Sequence, residues 1–140
     1  MRKRIVNKNL TTMCLLVLLL VVSACEDTQT KSLEVTATAY NSLPSQTDKD
    51  HPTTTAWGDE LKPGMKCIAV SRDLIQMGLK HNTRVKIEGL PGTYRVADKM
   101  NQRWQKRIDI YMGNDKDAAR EWGKKTVTIT WKVESEALQK

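Results

Sequence analysis

The feature that most constrains this chain is a succession of short segments that alternate apolar and polar residues, each closed by a turn signal. Leu33-Glu34-Val35-Thr36-Ala37-Thr38-Ala39-Tyr40, Thr83-Arg84-Val85-Lys86-Ile87 and Lys125–Val133 alternate along their lengths. Alternation with period two puts successive side chains on opposite faces of an extended strand, so each segment offers one face to a core. Lys66–Val70, Thr93–Asp98 and Arg107–Tyr111 are shorter runs of strand-forming residues, and Pro63-Gly64 and Leu90-Pro91-Gly92 turn the chain between segments. Ser71 is placed to cap a short helix from Arg72 to Met77 that stops at Gly78, and Asn114 to cap another that runs to Trp122 and ends at Gly123. About six strands with one or two short helices in roughly 100 residues predict a mainly β fold, either a closed barrel or a sandwich. The chain has no Phe, so its four Trp are the largest core candidates. Trp131 alternates with Val127 and Ile129 and belongs to the core by pattern, and Trp122 is placed to pack its helix on the sheet. Trp57 and Trp104 stand in polar, loop-like contexts, where they are either surface residues or stacking platforms for sugar rings.

The first 24 residues read as a leader. Arg2, Lys3, Arg4 and Lys8 precede an apolar run of ten residues, Met13 to Val22, where a membrane-spanning helix needs about 20. The run ends in Val22-Ser23-Ala24-Cys25, which resembles the bacterial lipoprotein box. That resemblance implies lipidation of Cys25, an anchor in a membrane of the bacterial envelope and a location outside the cytoplasm. The alternative is an ordinary small-residue cleavage site. Residues 25–32 then read as a lipidated tether, 33–133 as one domain and 134–140 as a polar tail.

The formal charge of +7 owes much to the leader, which holds four of the 23 basic residues and none of the 16 acidic ones. The remainder, near +3, contains no basic block of the kind that binds nucleic acid. Lys99, Arg103, Lys106 and Arg107, with Trp104 among them, form either the lining of a groove for an anionic polymer or a solvated face. Cys14 lies in the leader, so Cys67 is the one cysteine left for the folded part besides Cys25, and it reads as a small packed side chain.

His51 and His81 lie 30 residues apart in polar segments without metal-ligand spacing, so neither a metal nor another cofactor is expected. The seven glycines form no phosphate-binding loop, and no nucleophile elbow occurs. Carboxylates remain. Asp109 is flanked by Ile108 and Ile110, and Asp98 closes a strand-like run; Asp is depleted in strands because its carboxylate competes with the backbone. If Asp109 faces solvent it is unremarkable. If it faces a groove, partial desolvation raises its pKa toward that of a general acid. Asp73 falls in the first turn of its helix, where the helix dipole alone favours an anion.

Thr55-Ala56-Trp57-Gly58, Leu61, Pro63-Gly64, Ile68-Ala69-Val70, Gly78, Val85-Lys86-Ile87, Ala97-Asp98, Ile108-Asp109-Ile110-Tyr111 and Trp122-Gly123, in this order, resemble the 3D domain, named for three aspartates. The resemblance runs from about Val35 to Trp131. The domain is similar to the catalytic barrel of the membrane-bound lytic transglycosylase A family and of the stationary-phase survival proteins. It implies a six-stranded double-psi β-barrel and places the three aspartates on Asp73, Asp98 and Asp109. It further implies that Asp109 is the acid/base that cleaves peptidoglycan glycan strands, with Asp98 tuning it and Asp73 holding the site. Tyr40, Thr55, Trp57, Gly58, Lys99, Arg103 and Trp104 would line the substrate groove, the two cations meeting the anionic peptide stems. The chain departs from the pattern after Asp98, where Lys99-Met100-Asn101 replaces a Thr-Gly-Gly-like turn. A non-catalytic, expansin-like wall-binding module and a scaffolding envelope lipoprotein are the alternatives, since a fold does not fix a function.

Overall fold

The computed structural model describes residues 28–42 and 53–134. The leader, Cys25, the whole of 43–52 with His51, and the tail 135–140 lie outside the described residues. Six strands and two helices follow in the order β1 (Thr28–Tyr40), β2 (Cys67–Val70), α1 (Arg72–Gln76), β3 (Arg84–Ile87), β4 (Tyr94–Lys99), β5 (Arg107–Tyr111), α2 (Lys116–Trp122) and β6 (Lys125–Glu134). The strands close into one barrel in the order β1-β5-β2-β4-β3-β6. β1 runs parallel to β5, and β2 parallel to β4; the remaining neighbours are antiparallel. Parallel neighbours need crossover connections rather than hairpins, and the result is a mainly β, closed six-stranded barrel with two short helices, the barrel rather than the sandwich of the two folds the sequence pattern allowed.

Period-two alternation decides what fills the barrel. Val35 and Ala37 of β1, Ile68 and Val70 of β2, Val85 and Ile87 of β3, Val96 of β4, Ile108 and Ile110 of β5, and Val127, Ile129 and Trp131 of β6 form one buried cluster. Leu74 of α1 and Leu79 just beyond it join that cluster. Trp131 is fully buried, as its spacing implied. Cys67 is buried as well, in a second cluster with Leu61, Ala97 and Tyr111. Cys67 and Tyr111 lie one residue from the core positions Ile68 and Ile110, so this second cluster belongs to the outer surface of the barrel wall.

Three local details differ from the sequence reading. β1 begins at Thr28, so the stretch Thr28–Ser32, read as tether, is strand paired with Thr130–Glu134 of β6. That stretch carries no apolar alternation, and backbone pairing holds it instead. Helix α2 is capped by Asp115, whose side chain accepts from the Ala118 N–H at 2.8 Å, one residue beyond the expected Asn114. Ser71 makes no side-chain cap on α1; its Oγ accepts the Arg107 N–H at 3.0 Å and ties the helix entrance to β5.

The turn after α1 is packed to its limit. Gly78 has φ +103°, and a Cβ there would overlap Val133 Cγ1. Gly78→Ala is therefore expected to destabilise the fold by about 2 kcal/mol, through both the left-handed backbone and the overlap. A urea titration checks this: the midpoint falls while the slope stays constant.

Candidate functional site

The two strand aspartates come together across β2. Ala69 pairs with Asp109 of β5 on one side and with Asp98 of β4 on the other. Directly paired residues present their side chains to the same face of a sheet, so both carboxylates stand on the outer face of the wall with only a methyl group between them. A β-bulge makes this possible. The β2–β4 register shifts between Ile68, opposite Val96, and Ala69, opposite Asp98. Ala97 is the extra residue, and without it the alternation from Val96 would turn Asp98 toward the barrel interior.

Each aspartate has its own surroundings. Asp109 Oδ1 accepts a hydrogen bond from Thr38 Oγ1 at 2.9 Å, and Thr38 in turn accepts from Arg107 Nη2 at 3.3 Å. Burial pushes the Asp109 carboxyl above the ordinary carboxylate range; the Thr38 hydrogen bond and the Arg107 charge oppose that rise, and the Asp98 charge adds to it. Asp98 Oδ1 accepts two backbone N–H groups, from Ala56 and Lys99, each at 2.8 Å. Burial raises the Asp98 carboxyl too, and these two amides hold it back. Hydrogen bonds from amides favour the charged form, so Asp98 is the better-stabilised anion and Asp109 the better proton carrier.

Tyr40 stands beside this pair. It pairs with Tyr111 across β1 and β5, and the two rings lie 5.4 Å apart. Its hydroxyl is buried without a hydrogen-bond partner among the described residues. Burial drives its pKa far up, and the Asp98 and Asp109 charges add to the effect, so it stays a neutral donor. Tyr111 is engaged elsewhere, with its hydroxyl 2.5 Å from Ser42 Oγ.

The other expected residues fall into three groups. Thr55, Trp57 and Gly58 lie on the segment 53–61 that covers the Asp98 side. Thr55 is buried, and its Oγ1 accepts from the N–H groups of Trp57 at 3.3 Å and Asp59 at 3.0 Å, so it shapes the loop from within. Gly58 sits at the loop tip with φ +84°, and Lys99 Nζ lies 5.8 Å from the centre of the Trp57 ring. Trp104 and Arg103 lie on the Asp109 side: the Arg107 guanidinium rests 3.9 Å from the Trp104 ring centre and that of Arg103 at 5.0 Å. Asp73 stands apart from the pair. Its Oδ2 accepts the Lys106 N–H at 2.9 Å; burial raises its pKa, but hydrogen bonds from Ser71, Lys106 and the helix entrance outweigh this and lower it. It fixes the β4–β5 connection to α1. The segment after Asp98 keeps pairing with β2, since the Met100 N–H donates to the Val70 carbonyl at 2.9 Å.

Sequence reasoning passed over Thr38, whose hydroxyl links Arg107 to Asp109, and the Ala56 amide, which carries no side-chain signal. It also weighed His81 only as a metal ligand and gave it no other role. A cavity of about 760 Å³ opens between the outer end of β1, α1 and β6, lined among others by Lys31, Lys80 and Lys132, away from the aspartates. Among the described residues no group of His, Cys, Asp and Glu could hold a metal ion.

The raised carboxyls give stability a pH signature. A folded-state pKa above the unfolded one means the folded chain binds protons more tightly, so these groups weaken the fold as pH rises from about 4 through the raised values. The double variant Asp98→Asn, Asp109→Asn removes that slope. Its melting temperature is expected to gain on the wild type steadily between pH 4 and 7, by a few degrees at the upper end. Parallel thermal melts across that range check it, and a constant difference would count against the desolvated pair. In comparison with known proteins, the sequence matches no family model, and no curated protein matches it.

Proposed function

We propose that this chain is a lytic transglycosylase that cleaves the β-1,4 bond between N-acetylmuramic acid and N-acetylglucosamine in peptidoglycan. The observation that carries the reading is the asymmetry of the pair: a half-buried Asp109 with a raised pKa and one hydroxyl donor, beside an Asp98 pinned by two backbone amides. The resemblance of the aspartate-bearing segments to the 3D domain supports it. So does the leader ending at Cys25, which would keep the protein outside the cytoplasm, lipid-anchored where its substrate lies.

In this reading Asp109, protonated, donates to the glycosidic oxygen as the C1–O bond breaks and positive charge develops at the sugar ring. The resulting carboxylate then takes the proton from the muramic C6 hydroxyl, whose oxygen bonds to C1 and closes a 1,6-anhydro ring. The nucleophile belongs to the substrate, so no second carboxylate has to activate water. Asp98 stays ionised, raises the proton affinity of Asp109 and stabilises the developing positive charge. The buried, neutral Tyr40 hydroxyl beside the pair adds no charge of its own to the site. A glycan strand laid over the pair would run between Trp57 on one flank and the Arg107–Trp104 stack on the other, with Lys99 and Arg103 available to the peptide carboxylates.

Digestion of purified sacculi, read by mass spectrometry, tests the proposal. Products with 1,6-anhydro ends are expected. Ordinary reducing ends would indicate a hydrolase and overturn the single-acid mechanism. Sacculus binding without cleavage would indicate a wall-binding module.

A further inference from the structure

The segment 53–61 is a small, internally bonded unit. Thr54 and Glu60 form an isolated antiparallel bridge, the Thr55 N–H donates to the Asp59 carbonyl at 2.9 Å, the Gly58 N–H to the Thr55 carbonyl at 2.9 Å, and the Leu61 N–H to the Thr53 carbonyl at 2.8 Å. Such a unit moves as one body, so a restraint at Asp59 is felt at Ala56. Asp59 is restrained from two other parts of the chain. Its Oδ2 lies 2.5 Å from His81 Nε2, on the turn before β3, and accepts from Arg95 Nη1 of β4 at 3.1 Å. The Arg95 guanidinium is itself aimed by Asn82 Oδ1 at 2.8 Å. His81 also lies against the loop tip, its ring 4.9 Å from that of Trp57 at an interplanar angle of 32°.

We infer that Asp59, His81 and Arg95 form a clamp that seats this loop, so that the Ala56 amide holds the Asp98 carboxylate in place beside Asp109. The three are positioning residues; they touch Asp98 only through the loop. The hydrogen bond from His81, followed by that from Arg95, keeps the Asp59 carboxyl below its ordinary range, so Asp59 meets both donors as an anion. Its importance for turnover rests on the role proposed above for Asp98. Its existence does not.

Amide NMR of the isotope-labelled full-length protein in detergent, without substrate, tests the clamp. In the wild type the Ala56 amide proton resonates far downfield and shifts with pH as Asp98 titrates. In Asp59→Ala that pH-dependent shift is expected to disappear, and hydrogen exchange at Ala56 to quicken at least tenfold, while the Ile129 amide in β6 keeps its protection. His81→Ala leaves the Asp59 charge in place; it is expected to quicken Ala56 exchange at least threefold, which separates position from field and serves if Asp59→Ala does not fold. Glu60→Gln, in the same loop, is the unchanged control. A wild-type Ala56 signal in the folded variants overturns the clamp. Because no glycan is present, a negative sacculus digest would count against the proposed activity and leave this result standing.

Discussion

Asp109→Asn is expected to remove 1,6-anhydro products from a sacculus digest, slowing turnover by about 10³-fold or more, the scale of a lost general acid. This corresponds to about 4 kcal/mol of transition-state stabilisation. The argument is local. Asn keeps the shape of the carboxyl, and its Oδ1 still accepts from Thr38 Oγ1, so the strand register and the Arg107–Thr38 contact survive. What disappears is the proton that must reach the glycosidic oxygen. Removing a partly desolvated carboxylate also relieves the fold, so the variant should melt no lower than the wild type at neutral pH. Loss of products with a melting temperature no lower than the wild type's separates chemistry from folding. Wild-type yields of anhydro ends from the variant would end the case for Asp109.

Trp131→Ala is expected to cost about 3–5 kcal/mol of stability, a large share of the roughly 5–15 kcal/mol that holds a domain of this size. Trp131 is 2 % exposed and pairs with Val85 of β3 on one side and Lys31 of β1 on the other, where β6 joins the two halves of the barrel. Its Nε1 has no hydrogen-bond partner among the described residues, so the loss is one of packing. Truncation would leave a cavity that the neighbouring Gly78 cannot help to fill. Denaturant unfolding of the variant measures the effect, and a loss below about 1 kcal/mol would show that the wall collapses around the gap.

Much of the barrel was legible because its strands obey one rule. Val85-Lys86-Ile87 and Val127 to Trp131 alternate, and the structure buries their apolar members. The start of β1 was not legible. Thr28–Ser32 has no apolar face, and its strand character comes from a partner about 100 residues later in the chain, Thr130–Glu134. At the site, Asp98 and Asp109 stood out because a carboxylate inside a strand is costly. That they share one face was hidden, because it depends on a register shift between Ile68 and Ala69 that no residue type announces. His81 looked inert for a related reason. Its partner Asp59 lies 22 residues away in the sequence, and Arg95 meets that same oxygen from 36 residues away. Backbone donors such as the Ala56 amide leave no trace in composition at all.

The pairing of β1 with β6 has a kinetic consequence. The first described strand is zipped to the last over ten registered pairs, from Thr28 opposite Glu134 to Ala37 opposite Lys125. Neither β1 nor β3 can complete its hydrogen bonding until β6 is available. A chain still emerging from the ribosome therefore has no closed barrel to settle into. It stays open to proteases and chaperones until its final strand is free, and the closure of so long a loop makes folding slow for a domain of this length.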